Sequence, residues 1–97
     1  MAIPTENSAH AYANAQHAIA TLKSSIYRIL LDAGNAGLRN VDVGRSLGIN
    51  AGHIKHQSHI QRTLLAMMEK EGVVEQDPGT KYWRLCSRGQ YANNNDG

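Results

Sequence analysis

At 97 residues, with 41% hydrophobic residues, 19% charged residues and a net charge of +2, the chain has the ordinary make-up of one soluble globular domain. No apolar run approaches the ~18 to 20 residues of a membrane helix and the N-terminus lacks a short secretory apolar core, so a cytoplasmic, non-membrane protein is expected. Cys86 is the single cysteine, which excludes an internal disulfide and a multi-cysteine zinc site.

The opening "MAIPTENSAHAY" is small and polar, and the closing "GQYANNNDG" is rich in Asn and Gly. Residues 1–14 and 89–97 are therefore expected as flexible ends of a domain spanning 15–88. Ile19, Leu22, Ile26, Ile29, Leu30 and Ala33 recur three and four apart, which predicts a first helix stopped by Gly34. Weaker periodicity through Tyr12 and Ala15 leaves its start open towards the N-terminus, and the Ala-rich extension reads equally as a dimer contact or a fraying helix end.

Leu38 and Arg39 suit a very short strand. Asn40 suits an N-cap, Asp42 the positive first turn and Gly48 the close of a short second helix with Val43 and Leu47 inward. Gly44 is the small residue where another helix approaches. From Gln57 or Ser58 a third helix is predicted, with Ile60, Leu64, Leu65 and Met68 inward and Gly72 at its end. "VVEQ" and "KYWRL" flank the turn "DPGT" and read as a hairpin with Trp83 and Leu85 inward and Tyr82 and Arg84 outward.

Helix, short strand, short helix, longer helix and hairpin, in that order, make a mainly α fold with a small β-hairpin. The stretches "GLRNVDVGRSLGI" and "LLAMMEKEGVVEQDPGTKYWRL" resemble the second helix and the recognition helix running into the wing of the winged helix-turn-helix family. The resemblance covers about Leu22 to Leu85 and implies a three-helix core plus a wing that binds DNA. One departure stands out: a helix-turn-helix joins its helices by a turn of ~3 to 4 residues, whereas the longer segment "INAGHIKHQ" follows Gly48 here.

Charge is distributed unevenly. Residues Arg39 to Arg88 hold eight Lys/Arg against five Asp/Glu, a balance of +3, and no acidic residue lies between Asp42 and Glu69. His53, His56 and His59 in that window raise a metal reading, but Gly52 places His53 before the helix and no Cys or carboxylate lies near in sequence to complete a site. Catalysis lacks a nucleophile with a base and an orienting carboxylate, and there is no phosphate loop or cofactor fingerprint, so neither an enzyme nor a cofactor is expected.

A face that meets the closely spaced phosphates of DNA lacks carboxylates and offers cations and donors. On that reading Ser58, His59, Gln61, Arg62 and Thr63 lie at the start of the recognition helix, Gln61 matched to adenine and Arg62 to guanine. Lys55, His56 and Arg45 face phosphates, and Lys81 and Arg84 flank the wing. The expected function is double-stranded DNA binding, as a transcription regulator or as a module of a larger nucleic-acid machine. Its partners are then the duplex and, beyond it, a second copy or a larger protein complex. The rival is a winged helix used for protein–protein assembly.

Overall fold

The structure is a computed structural model that describes residues 5–50 and 59–87. Within them run α1 (Glu6–Ala33), a 3-10 turn (Gly34–Ala36), α2 (Asn40–Leu47), α3 (His59–Lys70), β1 (Val74–Gln76) and β2 (Trp83–Leu85). The described chain is mainly helical with one small antiparallel hairpin, the coarse class read from the sequence.

The start of α1 differs from the expectation. Thr5 Oγ1 accepts the Ser8 backbone N–H at 3.0 Å while Ser8 Oγ accepts the Thr5 N–H at 2.8 Å, a reciprocal capping box that satisfies two donors with no partner inside the helix. Glu6 stands in the first turn, where the helix dipole favours a carboxylate. Residues 6–14, expected as a flexible segment, are therefore the first turns of a 28-residue helix, supported by the helix propensity of their alanines. Residues 6–18 are exposed throughout, and packing begins at Ile19.

The core lies where the inward stripes meet. Ile26 and Leu30 of α1, Val43 of α2, Leu64, Leu65 and Met68 of α3, Val74 of β1, and Trp83 and Leu85 of β2 form one buried cluster. Lys23 Nζ meets Glu71 Oε2 at 2.7 Å and ties α1 to the chain leaving α3.

The 3-10 turn leads into Gly37 and Leu38. Leu38 donates to the Trp83 carbonyl at 2.8 Å and accepts from the Trp83 N–H at 2.7 Å, an isolated one-residue bridge where a very short strand over Leu38 and Arg39 was expected. β1 and β2 pair Val74 with Leu85, Glu75 with Arg84 and Gln76 with Trp83. The Asp77 carboxylate accepts from the Gly79 and Thr80 N–H groups at 2.8 and 2.9 Å, which closes the Pro-Gly turn.

Two boundaries move slightly. Asn40, foreseen as the cap of α2, is its first residue, and Arg39 stands at the cap; Asp42 Oδ2 reaches back to the Arg39 backbone N–H at 3.3 Å. α2 closes on left-handed Gly48, as foreseen. The described part of α3 begins at His59, and the expected start at Gln57 or Ser58 lies outside the described residues. Its end is as foreseen: the Gly72 N–H bonds to Glu69 O at 3.0 Å and that of Val73 to Met68 O at 2.9 Å. No helix among the described residues is long and apolar enough to cross a membrane.

Candidate nucleic-acid interface

The inward stripe of α3 is Gln61, Leu64, Leu65 and Met68, at spacings of three, one and three. Ile60, expected inward, is 42% exposed, and Gln61, expected to read bases, has no exposed surface. This overturns the assignment of Gln61 to a base contact, because a side chain packed between α2 and α3 cannot reach a groove. The spacing itself carried the signal: counting back three and four from Leu64 and Leu65 lands on residue 61, not 60.

Gln61 is held by hydrogen bonds. Its Nε2 donates to Asn50 Oδ1 at 2.6 Å and to the Asn40 carbonyl at 3.2 Å, while Asn50 Nδ2 donates to the Val41 carbonyl at 3.1 Å. Gly44 makes room for this pair: a Cβ there would overlap Asn50 Oδ1 and Gln61 Nε2. What approaches Gly44 most closely is thus a pair of amide side chains. Gln61 Oε1 is buried with no hydrogen-bond partner among the described residues, so the amide is placed at some cost in desolvation.

With Gln61 and its stripe inward, the opposite side of α3 is solvent-facing. His59, Thr63, Ala66 and Lys70 follow one another four, three and four apart along its outer ridge, with Arg62 on the flank, and all five are exposed. Neither Arg62 nor Lys70 makes an ion pair among the described residues. The exposed carboxylate of α3, Glu69, lies in its last turn, so the first two turns expose no carboxylate. The outer ridge includes one residue absent from the sequence reading, Lys70, which the helical repeat from His59 locates.

The arginines beside α2 are organised by one carboxylate. Asp42 accepts from Arg39 Nε at 2.9 Å and from Arg39 Nη2 at 3.1 Å, and Arg45 Nη1 lies 3.4 Å from it. The Arg39 hydrogen bond holds the Asp42 carboxyl below its ordinary range, partly opposed by desolvation, and raises the guanidinium in turn. Arg45 remains exposed as expected, 70% of its side chain facing solvent. Arg39 joins it as a second cation that the sequence reading had not singled out.

The hairpin is more nearly neutral than expected. Arg84 is half-buried, bonded through Nε to Glu75 Oε2 at 2.8 Å and close to Asp77 at 3.5 Å, and the Glu75 bond raises its pKa. Backbone donors from Thr80 and Gly79 hold Asp77 below the usual carboxylate range. Arg84 is committed within the hairpin, and Lys81 is exposed with no ion pair among the described residues. Cys86 packs at the end of β2, its N–H on the Val73 carbonyl at 2.8 Å and Sγ 3.6 Å from Glu75 Oε1.

Of the residues foreseen as DNA contacts, the structure brings His59, Arg62 and Thr63 onto one helix face, leaves Arg45 and Lys81 exposed, engages Arg84 and buries Gln61. Lys55, His56 and Ser58, together with His53 and the rest of residues 51–58, lie outside the described residues. Compared with known protein families, curated proteins and solved structures, the chain matches none.

Proposed function

We propose that the chain is a winged helix-turn-helix domain that binds double-stranded DNA, with the outer ridge of α3 entering the major groove and β1–β2 as the wing. The observation that carries this reading is the solvent face of α3, where His59, Arg62 and Thr63 are exposed with Lys70 further along and no carboxylate in the first two turns. Arg62 has the donor geometry for guanine, His59 and Thr63 offer shorter polar groups, and Ala66 allows close approach to a thymine methyl. Arg39, Arg45, Lys70 and Lys81 supply phosphate contacts, which fix register without reading sequence. Such a domain acts as a regulator or as the DNA-reading module of a larger assembly, and no chemistry of its own is proposed.

The rival reading, a protein-docking winged helix, draws support from Ile60, 42% exposed beside the α3 face, and from the internal neutralisation of Arg84. Salt separates the two. Neutralising four or five phosphates gives an affinity for a mixed-sequence duplex that falls on the order of 10²- to 10³-fold between about 50 and 200 mM salt. Lys70→Ala should lower the salt slope by roughly one and weaken all sequences alike, and Arg62→Ala should cost about 1 to 3 kcal/mol and relax discrimination. Duplex affinity indifferent to both variants and to salt would remove α3 from the DNA reading.

A further inference from the structure

We infer that Gln61 is a positioning residue whose buried amide fixes the rotation of α3 about its own axis and so decides which side chains form its outer ridge. The consequence for binding rests on the duplex reading; the rotation itself does not. An α-helix turns about 100° per residue, and α3 carries two overlapping stripes that differ by about that much. One is Gln61, Leu64, Leu65 and Met68, the buried set. The other is Ile60, Leu64 and Met67, at spacings of four and three, in which Ile60 is 42% exposed and Met67 is half-buried against the core. By hydrophobicity alone the two are close, with three apolar side chains each: the second gains Ile60 and Met67 and gives up Leu65 and Met68.

The hydrogen bonds favour the first. Gln61 Nε2 finds Asn50 Oδ1 at 2.6 Å and the Asn40 carbonyl at 3.2 Å only when residue 61 faces α2, and Gly44 leaves the space for both amides. Turned by one residue, α3 would bring Ile60 inward and carry Arg62 and Glu69 towards the middle of the exposed face, placing a carboxylate where the ridge now has His59, Thr63 and Lys70. Asn50 also bonds to the Val41 carbonyl at 3.1 Å, so the chain leaving α2 is tied back onto the same helix that receives Gln61. A buried polar group that costs stability yet selects one register among apolar alternatives is a known use of such groups.

Gln61→Met tests this, since it keeps the volume and removes the amide, leaving both stripes apolar. The variant is expected to hold or raise Tm, to show doubled or exchange-broadened α3 amide signals by NMR, and to lose about tenfold or more in duplex affinity. Adding Ile60→Ser removes the competing stripe and should restore one set of signals and the affinity. Asn50→Ala, which takes away the acceptor from outside α3, should broaden the same signals even if Gln61→Met packs differently. One set of α3 signals with unchanged side-chain contacts in both Gln61→Met and Asn50→Ala would overturn the inference. Should the wild-type chain bind no duplex, the DNA reading fails separately, and the α3 signals of the variants still decide the rotation.

Discussion

Gly37→Ala is expected to destabilise the fold by about 3 to 5 kcal/mol, a large share of the ~5 to 15 kcal/mol available to a small domain. Two costs combine there. Gly37 has φ +74° and ψ −174°, a region that side chains other than glycine rarely adopt. An added Cβ would also overlap the Trp83 backbone carbonyl, the atom that accepts the Leu38 N–H at 2.8 Å. That carbonyl cannot rotate aside as a side chain would, so the Leu38 and Trp83 bridge must open and β2 must shift away from the chain entering α2. Gly34 provides the control: its φ is +66° but an added Cβ would meet nothing within 4 Å. Thermal unfolding should show Gly37→Ala lowering Tm by roughly 15 °C or more, clearly beyond Gly34→Ala. Equal losses at the two positions would mean that the bridge to Trp83 contributes nothing.

Gly44→Ala should also destabilise, although the usual expectation at a helix interior is the reverse. Replacing glycine by alanine inside a helix normally gains up to about 1 kcal/mol. Here the new methyl overlaps Asn50 Oδ1 and Gln61 Nε2, so at least one amide must leave. Gln61 has no exposed surface and nowhere to go, whereas Asn50 is half-buried and can be displaced. Displacing it breaks the 2.6 Å bond and leaves a buried donor short of an acceptor, at a cost of about 1 to 3 kcal/mol, with a further ~1 to 3 kcal/mol for overpacking. The net expectation is a loss of about 2 to 4 kcal/mol in denaturant unfolding. Asn50→Ala in the same chain relieves the overlap, so the double variant should be less destabilised than the sum of the single ones. Additive losses would show that Gly44 and Asn50 do not share this contact.

These two glycines mark how far the sequence could be read. Elements set by local chemistry were legible: the apolar repeat of α1, the left-handed stops at Gly48 and Gly72, the Asp-Pro-Gly turn, and the alternation that sends Trp83 and Leu85 inward. The capping box at Thr5 and Ser8 was equally local, and was hidden by the polar composition of its surroundings. The inward position of Gln61 was in the spacing of Leu64 and Leu65, but its bonding was not legible, because its acceptors come from Asn40 and Asn50, eleven or more positions away. The same holds for Arg84: Glu75 and Asp77 become its partners only once the hairpin is paired. For the candidate interface, His59, Arg62 and Thr63 followed from composition and helical spacing, while Lys70 required the correct inward stripe before its place on the outer ridge could be counted.

The burial of Gln61 sharpens the proposed interface as well as correcting it. Removing the amide from the groove leaves Arg62 as the long donor in the first two turns, with His59 and Thr63 beside it and Lys70 as a phosphate partner further along. Base discrimination should then centre on a single guanine-type contact, and affinity should lean on phosphate contacts and their salt dependence.

The most direct measurement is an NMR titration of the isotope-labelled chain with a mixed-sequence DNA duplex, run at about 50 and at about 200 mM salt. Duplex binding through α3 predicts shifts at His59, Arg62, Thr63, Ala66 and Lys70, smaller ones at Arg39, Arg45 and Lys81, and marked weakening at the higher salt. Absence of shifts at the lower salt would contradict it.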